Sequence, residues 1–236
     1  MQRVIAWLAA PFWVPAAALV MRLGLGYRIR DVARHRARYR EVLEESGAPL
    51  LVCANHLTMI DSFLVGWALG SPFWFLVHFD RLPWNVPEAT NFAARTWSAV
   101  ASYLAKCIPV LRGGRREDVA RVLERIVHLL QRGEVAVMFP EGGRSRSGRV
   151  DVEQSAWGVG RVVAAVPDCR VLCVYLRGDH QGSWGTIPAR GERFEVRTEC
   201  IEPKSDHRGA RRSRDLARQI TAQLARMEGE YFDGRQ

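Results

Sequence analysis

The sequence lacks the cysteine patterns of a disulfide-stabilised or zinc-binding protein. It has only five cysteines among 236 residues, an odd number at irregular spacings and without a CxxC pair. Most lie in apolar runs, where a free cysteine behaves as a small hydrophobic residue. This pattern favours a reducing, cytoplasmic compartment, and it disfavours a cysteine nucleophile because none lies in a recognisable activating motif. The five are Cys53, Cys107, Cys169, Cys173 and Cys200.

The sequence motifs of several enzyme classes are also absent. The sequence has no GxSxG motif, which carries the nucleophilic serine of α/β-hydrolases, so it does not match that class of enzyme. Without a Walker loop or HExxH, the chain matches neither a nucleoside triphosphatase nor a zinc protease. Five of the six histidines have no carboxylate at a meaningful spacing, and we interpret them as surface or structural residues. They are His35, His78, His128, His180 and His207.

The net charge is +9, and much of it is concentrated near the N-terminus. Residues 22–40 contain seven arginines and a single aspartate. A basic segment of this kind predicts contact with anionic lipid headgroups. Nucleic acid is a rival partner, but no zinc spacing or aromatic-basic RNA-binding signature accompanies the charge, so we expect no nucleic acid. A merely solvated helix is the third interpretation.

Residues 4–21 carry neither a charge nor a polar side chain. A run of this length is at the lower edge of what spans a bilayer. Pro11 and Pro15 interrupt it, and a proline inside a helix removes a hydrogen bond and kinks the helix. Followed by the arginine cluster, the run is typical of a monotopic anchor that enters one leaflet, here on the cytoplasmic face of the inner membrane. A cleaved signal peptide and a single membrane span are the alternatives.

Apolar strands that alternate with amphipathic helices predict an α/β layered domain. We expect a single layered domain over residues 43–236, with a mixed, largely parallel central sheet flanked by helices. An N-terminal apolar helical membrane-binding segment precedes it over residues 1–42. Helices are predicted over residues 59–69, within 81–98, over 117–131 and around 216–227. Strands are predicted over residues 49–54, 73–77, 108–111, 135–139, 171–176 and 194–201.

The first candidate catalytic motif follows the strand predicted at residues 49–54 and contains His56 and Asp61. Five residues along one helix turn through about 500°, so the two side chains would diverge if both lay in the helix. They meet if His56 lies in the turn before the helix and Asp61 in its first turn, with Thr58 as the N-cap. The aspartate then fixes one imidazole nitrogen and leaves the other free as a general base. The alternative is that Asp61 only caps a helix and His56 is an ordinary turn residue.

A second motif, Phe-Pro-Glu-Gly-Gly-Arg-Ser at residues 139–145, follows another predicted strand. Its two glycines let the backbone approach a ligand closely, and their amides can face an anion. Arg144 and Arg146 can make bidentate contacts with phosphate oxygens. Arg112 ends the strand predicted at residues 108–111, and for Arg112 and Arg144, each at a strand end, we favour a functional role. The neighbouring arginines are interpreted as solvated surface charges; they are Arg115, Arg116, Arg146 and Arg149.

In order, residues 55–61, 108–112, 139–145 and 171–176 resemble the four conserved blocks of the glycerolipid acyltransferases. The best-known members are the bacterial 1-acylglycerol-3-phosphate acyltransferases. The resemblance implies acyl transfer from acyl-CoA or acyl-carrier protein to a hydroxyl of a lysophospholipid, with His56 as general base oriented by Asp61. It also implies a membrane-binding motif of two N-terminal helices, and no metal or cofactor. The acceptor-binding residues that it implies are Arg112, Glu141, Gly142 and Arg144.

The chain departs from the family pattern around the acceptor pocket. Gly143 stands where the family usually has threonine, Cys173 stands where it usually has proline, and the lysines common after the first and third blocks are absent. The catalytic pair is intact, and another hydroxyl-bearing lipid is compatible with these changes. A non-catalytic lipid- or acyl-carrier-binding protein that keeps the fold is the alternative from another class, and the intact pair argues against it.

Overall fold

A mixed sheet of six strands forms the centre of the computed structural model, which describes residues 1–90, 96–111 and 113–234. The strands are β1 (Arg28–Ile29), β2 (Leu50–Ala54), β3 (Trp84–Asn85), β4 (Ala136–Met138), β5 (Arg170–Gly178) and β6 (Arg193–Ile201). Their order is β1-β6-β5-β2-β4-β3, and neighbouring strands are parallel except for the antiparallel pair β5 and β6.

Helices flank the sheet, as the sequence predicts for a single α/β domain with an apolar N-terminal helix. They are α1 (Gln2–Leu19), α2 (Val32–Glu44), α3 (Asp61–Leu69), α4 (Pro72–Val77), α5 (Thr96–Leu104), α6 (Arg116–Gln131), α7 (Trp157–Ala165) and α8 (Gly209–Asp233). A π-helical turn, Val20–Gly24, extends α1. A short 3-10 turn spans Phe79–Arg81. The predicted fold class is confirmed.

Two apolar clusters cover the two faces of the sheet, and β2 contributes to both. Leu51 and Cys53 pack into the cluster formed with α6, α7 and α8. Leu50, Val52 and Ala54 pack into the opposite cluster, formed with α1 to α4. Because side chains alternate across a strand, a strand covered on both faces is apolar throughout.

Residues 73–77, predicted as a strand, form the helix α4 instead. The Ser71 Oγ accepts a hydrogen bond from the Trp74 N–H at 3.2 Å and caps the helix, and Pro72 occupies its first position. Serine followed by proline is a strong helix start. This local signal outweighs the strand propensity of the aromatic residues that follow.

The strand predicted at residues 108–111 is also wrong. Isolated bridges join Glu88 to Val110 and Asn85 to Cys107, but this segment forms no strand of the sheet. The edge strands β1 and β3 were not predicted, because two-residue strands carry no periodicity. Part of the helix predicted within residues 81–98 falls on residues 91–95, outside the described residues. The boundary at residue 42 stays a prediction, although β1 from the first segment pairs with β6.

Helix α1 runs continuously through Pro11 and Pro15. Among the described residues, Gln2–Gly24 is the helical segment long and apolar enough to cross a membrane by length and composition. A buried core helix or a signal sequence passes the same test. One face of α1, which includes Ala6 and Ala10, is buried against the domain, while the opposite face is exposed.

Hydrogen bonds hold both ends of this helical segment against the domain. At its start, the Gln2 Nε2 donates to the carbonyl oxygens of Tyr103 at 2.9 Å and Cys107 at 3.0 Å. Just beyond its end, the Gly191 N–H donates to the Leu25 carbonyl oxygen at 2.7 Å. The helix therefore lies along the domain.

Helices α7 and α8 approach each other so closely that Gly160 has no room for a side chain. A Cβ there would overlap the Ser213 carbonyl oxygen and lie 3.0 Å from the Ala217 nitrogen. Gly160→Ala should destabilise the protein by about 1–3 kcal/mol, the usual cost of overpacking. Thermal melting should show this as a fall of about 2–4 °C per kcal/mol.

The matched control is Gly229→Ala in α8, where an added Cβ meets no heavy atom within 4 Å. This change should leave the melting temperature unchanged or raise it, because alanine is the better helix former. Equal melting temperatures for the two variants would contradict the close approach.

Candidate active site

The two sequence motifs begin at the same edge of the sheet. Strands β2 and β4 are parallel neighbours, and Cys53 lies opposite Met138 in their register. The residues that follow the two strands therefore leave the sheet side by side, beyond the carboxyl ends where ligands bind in such folds. The Asn55 side chain extends the pairing of β2 with β5, since it donates to the Leu176 carbonyl oxygen at 3.0 Å and accepts from the Leu176 N–H at 2.8 Å.

The Asp61 carboxylate reaches back from the first residue of α3 to His56. The distance from His56 Nδ1 to Asp61 Oδ2 is 3.0 Å. The same oxygen accepts from the backbone N–H groups of Leu57 at 2.6 Å and Thr58 at 2.7 Å. The Thr58 hydroxyl donates to the other carboxylate oxygen. The bonds from residues 57 and 58 fix the carboxylate in one orientation, and the carboxylate in turn holds the imidazole at its Nδ1 atom.

The N-cap predicted at Thr58 is wrong, because the residue before the helix is Ile60, which makes no side-chain cap. Thr58 lies two residues earlier, and its hydroxyl serves the Asp61 side chain rather than the helix backbone. A threonine that caps the helix backbone and a threonine that donates to the Asp61 side chain both lie three positions before the acidic residue. Spacing in the sequence therefore does not distinguish the two roles.

Residues of the second motif support His56 directly. Its ring stacks on Phe139, with ring centroids 4.1 Å apart and an interplanar angle of 19°. Its backbone N–H donates to Glu141 Oε1 at 3.2 Å, and its carbonyl oxygen accepts from the Ser145 N–H at 2.8 Å. The second motif thus holds His56 in place through its ring, its backbone N–H and its carbonyl oxygen.

Glu141 is partly buried, and this burial raises the pKa of its carboxyl to about 8. The hydrogen bond from the His56 N–H acts in the opposite direction and lowers this pKa, whereas the nearby Glu228 carboxylate raises it further. Sequence analysis predicts Glu141 as an acceptor-binding residue. In the structure its Oε1 contacts the His56 main chain, and acceptor binding stays a prediction.

Gly142 forms the turn after the strand. Its φ is +66°, its N–H donates to the Phe139 carbonyl oxygen at 3.0 Å, and an added Cβ would lie 2.9 Å from the Ala156 Cβ. The left-handed φ explains a glycine here. The Gly142 N–H is used within the turn, and a role of Gly142 in acceptor binding stays a prediction. Gly143, the next residue, lines the cavity described below.

Arg144 is held by the connection between β5 and β6. Its Nη1 donates to the Gly185 carbonyl oxygen at 2.9 Å, and its guanidinium lies 4.9 Å from the centroid of the Trp184 ring. Arg146, interpreted from sequence as a surface charge, lines the same cavity as Arg144. Arg112 lies outside the described residues, and its predicted role stays a prediction.

The β5–β6 connection also crosses the turn that carries the histidine. The Gly185 N–H donates to the Leu57 carbonyl oxygen, and the Met59 N–H donates to the Thr186 carbonyl oxygen, both at 3.0 Å. Sequence reasoning missed this segment because its composition does not identify it as part of the site. Only Trp184, a tryptophan in a glycine-containing loop, could have drawn attention to it.

Arg177, at the end of β5, fixes the loop that follows the second motif and was also missed. It is buried, its Nη1 donates to the Gly148 carbonyl oxygen at 2.7 Å, and its Nη2 donates to the Gly182 carbonyl oxygen at 3.2 Å. Glu228 from α8 pairs with it at 3.3 Å. A buried guanidinium needs such a partner and such acceptors, and here they join two loops around the site.

A cavity of about 1140 Å³ opens beside the histidine. Its polar lining includes His56, Glu88, Arg144 and Arg146, and apolar residues of α1 and α5 contribute much of the rest, among them Phe12 and Ala101. Its volume exceeds the range of about 300–1,000 Å³ usual for small-molecule sites. Within residues 1–90, 96–111 and 113–234, no group of three or more His, Cys, Asp or Glu side chains could hold a metal ion.

A family model described as acyltransferase matches residues 32–177 of the chain. No curated protein matches the chain. The matched span covers more than half of the 236 residues and includes both motifs at the edge of the sheet. The chain therefore belongs to the acyltransferase family.

Proposed function

We propose that this protein transfers a fatty acyl chain from an acyl thioester to a hydroxyl group of a lysophospholipid, such as 1-acylglycerol-3-phosphate, or of a related lipid. Coenzyme A or acyl-carrier protein is the proposed carrier. The observation behind the proposal is the His56–Asp61 pair at the wall of a large cavity. A histidine held at Nδ1 by a carboxylate keeps its Nε2 available for proton transfer.

In the proposed reaction, His56 Nε2 removes the proton of the acceptor hydroxyl as its oxygen attacks the thioester carbonyl carbon. The new C–O bond forms a tetrahedral intermediate, and its collapse breaks the C–S bond. The departing thiolate takes the proton from the imidazolium, which restores the base. Asp61 orients the imidazole and stabilises its charged form, as in other carboxylate–histidine pairs.

Two guanidinium groups in the cavity wall support an anionic acceptor. Arg144 and Arg146 line the cavity together with His56. Guanidinium groups match the geometry of phosphate oxygens. Arg112 joins them in the proposal on the family resemblance. Trp184, stacked against Arg144, limits the room for the headgroup on that side.

Glu141 is proposed as a positioning residue that acts through the His56 main chain. Its Oε1 accepts the His56 N–H, and its raised pKa favours the neutral acid at neutral pH. A neutral acid keeps a carbonyl oxygen as acceptor without placing a second negative charge near Glu228.

A membrane surface is the proposed location, on its cytoplasmic face. The exposed face of α1 adjoins α4, where Phe73 is 77% exposed and Val77 is 79% exposed. Arg40 lies 5.3 Å from the centroid of the Trp74 ring in the same helix, which puts a cation at the border of this apolar face. Since both ends of the α1 segment are bonded to the domain, a monotopic arrangement suits it better than a span.

His56→Ala should lower the rate of acyl transfer by about 10²–10⁴-fold, the usual contribution of a general base. The measurement is thiol release from acyl-CoA in the presence of lysophospholipid, with the product confirmed by mass spectrometry. His207→Ala, on an exposed loop histidine, is the matched control and should keep the wild-type rate. Full turnover by His56→Ala would contradict the mechanism. Lipid binding without thiol release by the wild type would favour a non-catalytic binding protein.

Glu141→Gln should change how stability depends on pH. The folded-state pKa of about 8 is above the ordinary value of 4.5, so between these values the folded state binds more protons than the unfolded state. The free energy of unfolding of the wild type should therefore fall as the pH rises through this window, by up to about 1.4 kcal/mol per unit. Glutamine lacks the titration, so the variant should gain stability relative to the wild type as the pH rises from 5 to 8.

Denaturant unfolding at several pH values measures this difference. Glu153→Gln, at an exposed carboxylate, is the matched control and should show no such trend. A difference between Glu141→Gln and the wild type that stays constant across the window would contradict a raised pKa for Glu141.

The double change Phe73→Asp and Val77→Asp should weaken binding to anionic phospholipid vesicles. Each large apolar side chain contributes about 1.5–3 kcal/mol when buried, so the loss of two should reduce affinity on the order of 100-fold or more. Vesicle co-sedimentation measures it, with thermal melting to confirm the fold. Trp157→Asp, on the opposite side of the sheet, is the control and should bind like the wild type. Undiminished co-sedimentation of the double variant would exclude α4 from the membrane-binding surface.

A further inference from the structure

Exposed arginines and one tryptophan cluster on α7 and α8, which cover the side of the sheet opposite α1 to α4. The Trp157 side chain at the start of α7 is 49% exposed, and the Arg214 guanidinium of α8 lies 3.8 Å from the centroid of its ring. This contact joins the two helices into one surface, which we call the basic face. Its members, all exposed, are Trp157, Arg161, Arg211, Arg214 and Arg218.

Helical spacing places the members of the basic face side by side. On α8, Arg211, Arg214 and Arg218 are separated by three and four positions, so they share one face of the helix. On α7, Arg161 follows Trp157 by four positions and lies one turn beyond it. The tryptophan ring is therefore bordered by cations from both helices.

The positive charge of the basic face is only partly compensated by the chain itself. Within the part of the chain that the structure describes, the guanidinium groups of Arg161 and Arg211 have no ion-pair or hydrogen-bond partner. Arg218 pairs with Glu153 at 2.9 Å, but both side chains are exposed, and such pairs contribute little. Asp215, the acidic residue among residues 209–218, is already hydrogen-bonded to two neutral side chains. The face can therefore accept carboxylates from a partner.

A short series of contacts connects the basic face to the catalytic histidine. Ala156 directly precedes Trp157, and its N–H donates to the Pro140 carbonyl oxygen at 2.6 Å. Pro140 follows Phe139, whose ring stacks on His56. The path from the basic face to the proposed general base thus crosses one hydrogen bond and one ring stack.

The composition of the basic face favours an acidic protein as its partner. Tryptophan and arginine are the residues most enriched among those that contribute strongly to protein–protein binding. Unpaired cations select a partner of opposite charge and speed its approach. Of the two thioester carriers in the proposed reaction, acyl-carrier protein has this chemistry, since it is a small, strongly acidic protein that holds its acyl chain on a flexible arm.

We propose that the basic face docks an acidic acyl-carrier protein, which delivers the acyl thioester towards His56 on its phosphopantetheine arm. Arg211 and Arg214 pair with carboxylates of the carrier, and Trp157 packs against an apolar side chain between them. Because the proposed membrane-binding surface lies on the other side of the sheet, the carrier approaches from the aqueous side. This inference rests on the proposed acyl transfer, because it names the carrier used in that reaction.

The test compares two donors with the same palmitoyl chain, one on the acyl-carrier protein of the same organism and the other on coenzyme A. Full-length protein in lipid–detergent micelles transfers the chain to lysophospholipid, and mass spectrometry measures the product. The double change Arg211→Glu and Arg214→Glu replaces attraction by repulsion, so it should raise KM for the carrier-bound donor by at least about tenfold. KM for palmitoyl-CoA should change little, because coenzyme A brings no protein to dock.

Two further variants separate docking from a general effect of charge. Trp157→Ala removes the apolar anchor without changing the charge, and it should also raise KM for the carrier-bound donor. Arg132→Glu is the matched control, since it reverses an exposed arginine at the C-terminal end of α6. This control should keep the wild-type KM for both donors. The readout is the difference between donors, because a merely structural effect would change both.

An unchanged KM for the carrier-bound donor in the double variant would overturn the inference. So would a wild type that uses palmitoyl-CoA but not the carrier-bound chain. If the double variant instead loses co-sedimentation with anionic vesicles and keeps its KM, the basic face is a lipid-binding surface and the inference is wrong. Failure of the proposed function looks different, since then neither donor is used. In that case calorimetry of acyl-carrier protein binding to the wild type and the double variant still decides the inference, which requires weaker binding by the variant.

Discussion

The parallel pairing of β2 with β4 is the constraint on which the site depends. Parallel strands end at the same edge of the sheet. Because Cys53 lies opposite Met138, the loops that follow β2 and β4 begin side by side. His56 then lies within reach of residues 139–145, although eighty or more positions separate them in the chain. A shift of one residue in this register would move the side chains of the shifted strand to the opposite face of the sheet and displace the loop that follows it.

Support for the histidine comes mainly from backbone and from ring stacking. Asp61 is held by the N–H groups of the turn, Glu141 accepts the His56 N–H, and Phe139 covers one face of the ring. Groups on rigid strand ends position a side chain more accurately than a mobile loop does. The connection that contains Gly185 adds two further backbone bonds to the same turn.

Sequence predicted the elements whose signal is local or strongly periodic. The approach of Asp61 to His56 follows from five-residue spacing, and α6 follows from its amphipathic period. Contacts between distant segments that use main-chain atoms were not predictable. The Glu141 bond to the His56 N–H spans 85 positions and depends on no residue type at its donor. Arg146 is exposed, as the surface interpretation predicts, and it also lines the cavity, a position that its sequence context does not reveal.

The attachment of the N-terminal segment has a consequence for synthesis. Its partners come late in the chain: Arg190 donates to the Gly24 carbonyl oxygen, Tyr27 donates to the Pro188 carbonyl oxygen, and β1 pairs with β6. At about 5–20 residues per second, a ribosome needs on the order of 10–30 s to produce the intervening residues. During that time residues 24–29, which follow α1, have none of these partners, and α1 has only its contacts with α4 and α5. A lipid surface or a chaperone therefore has access to the exposed apolar side of α1 before these residues are attached to the domain.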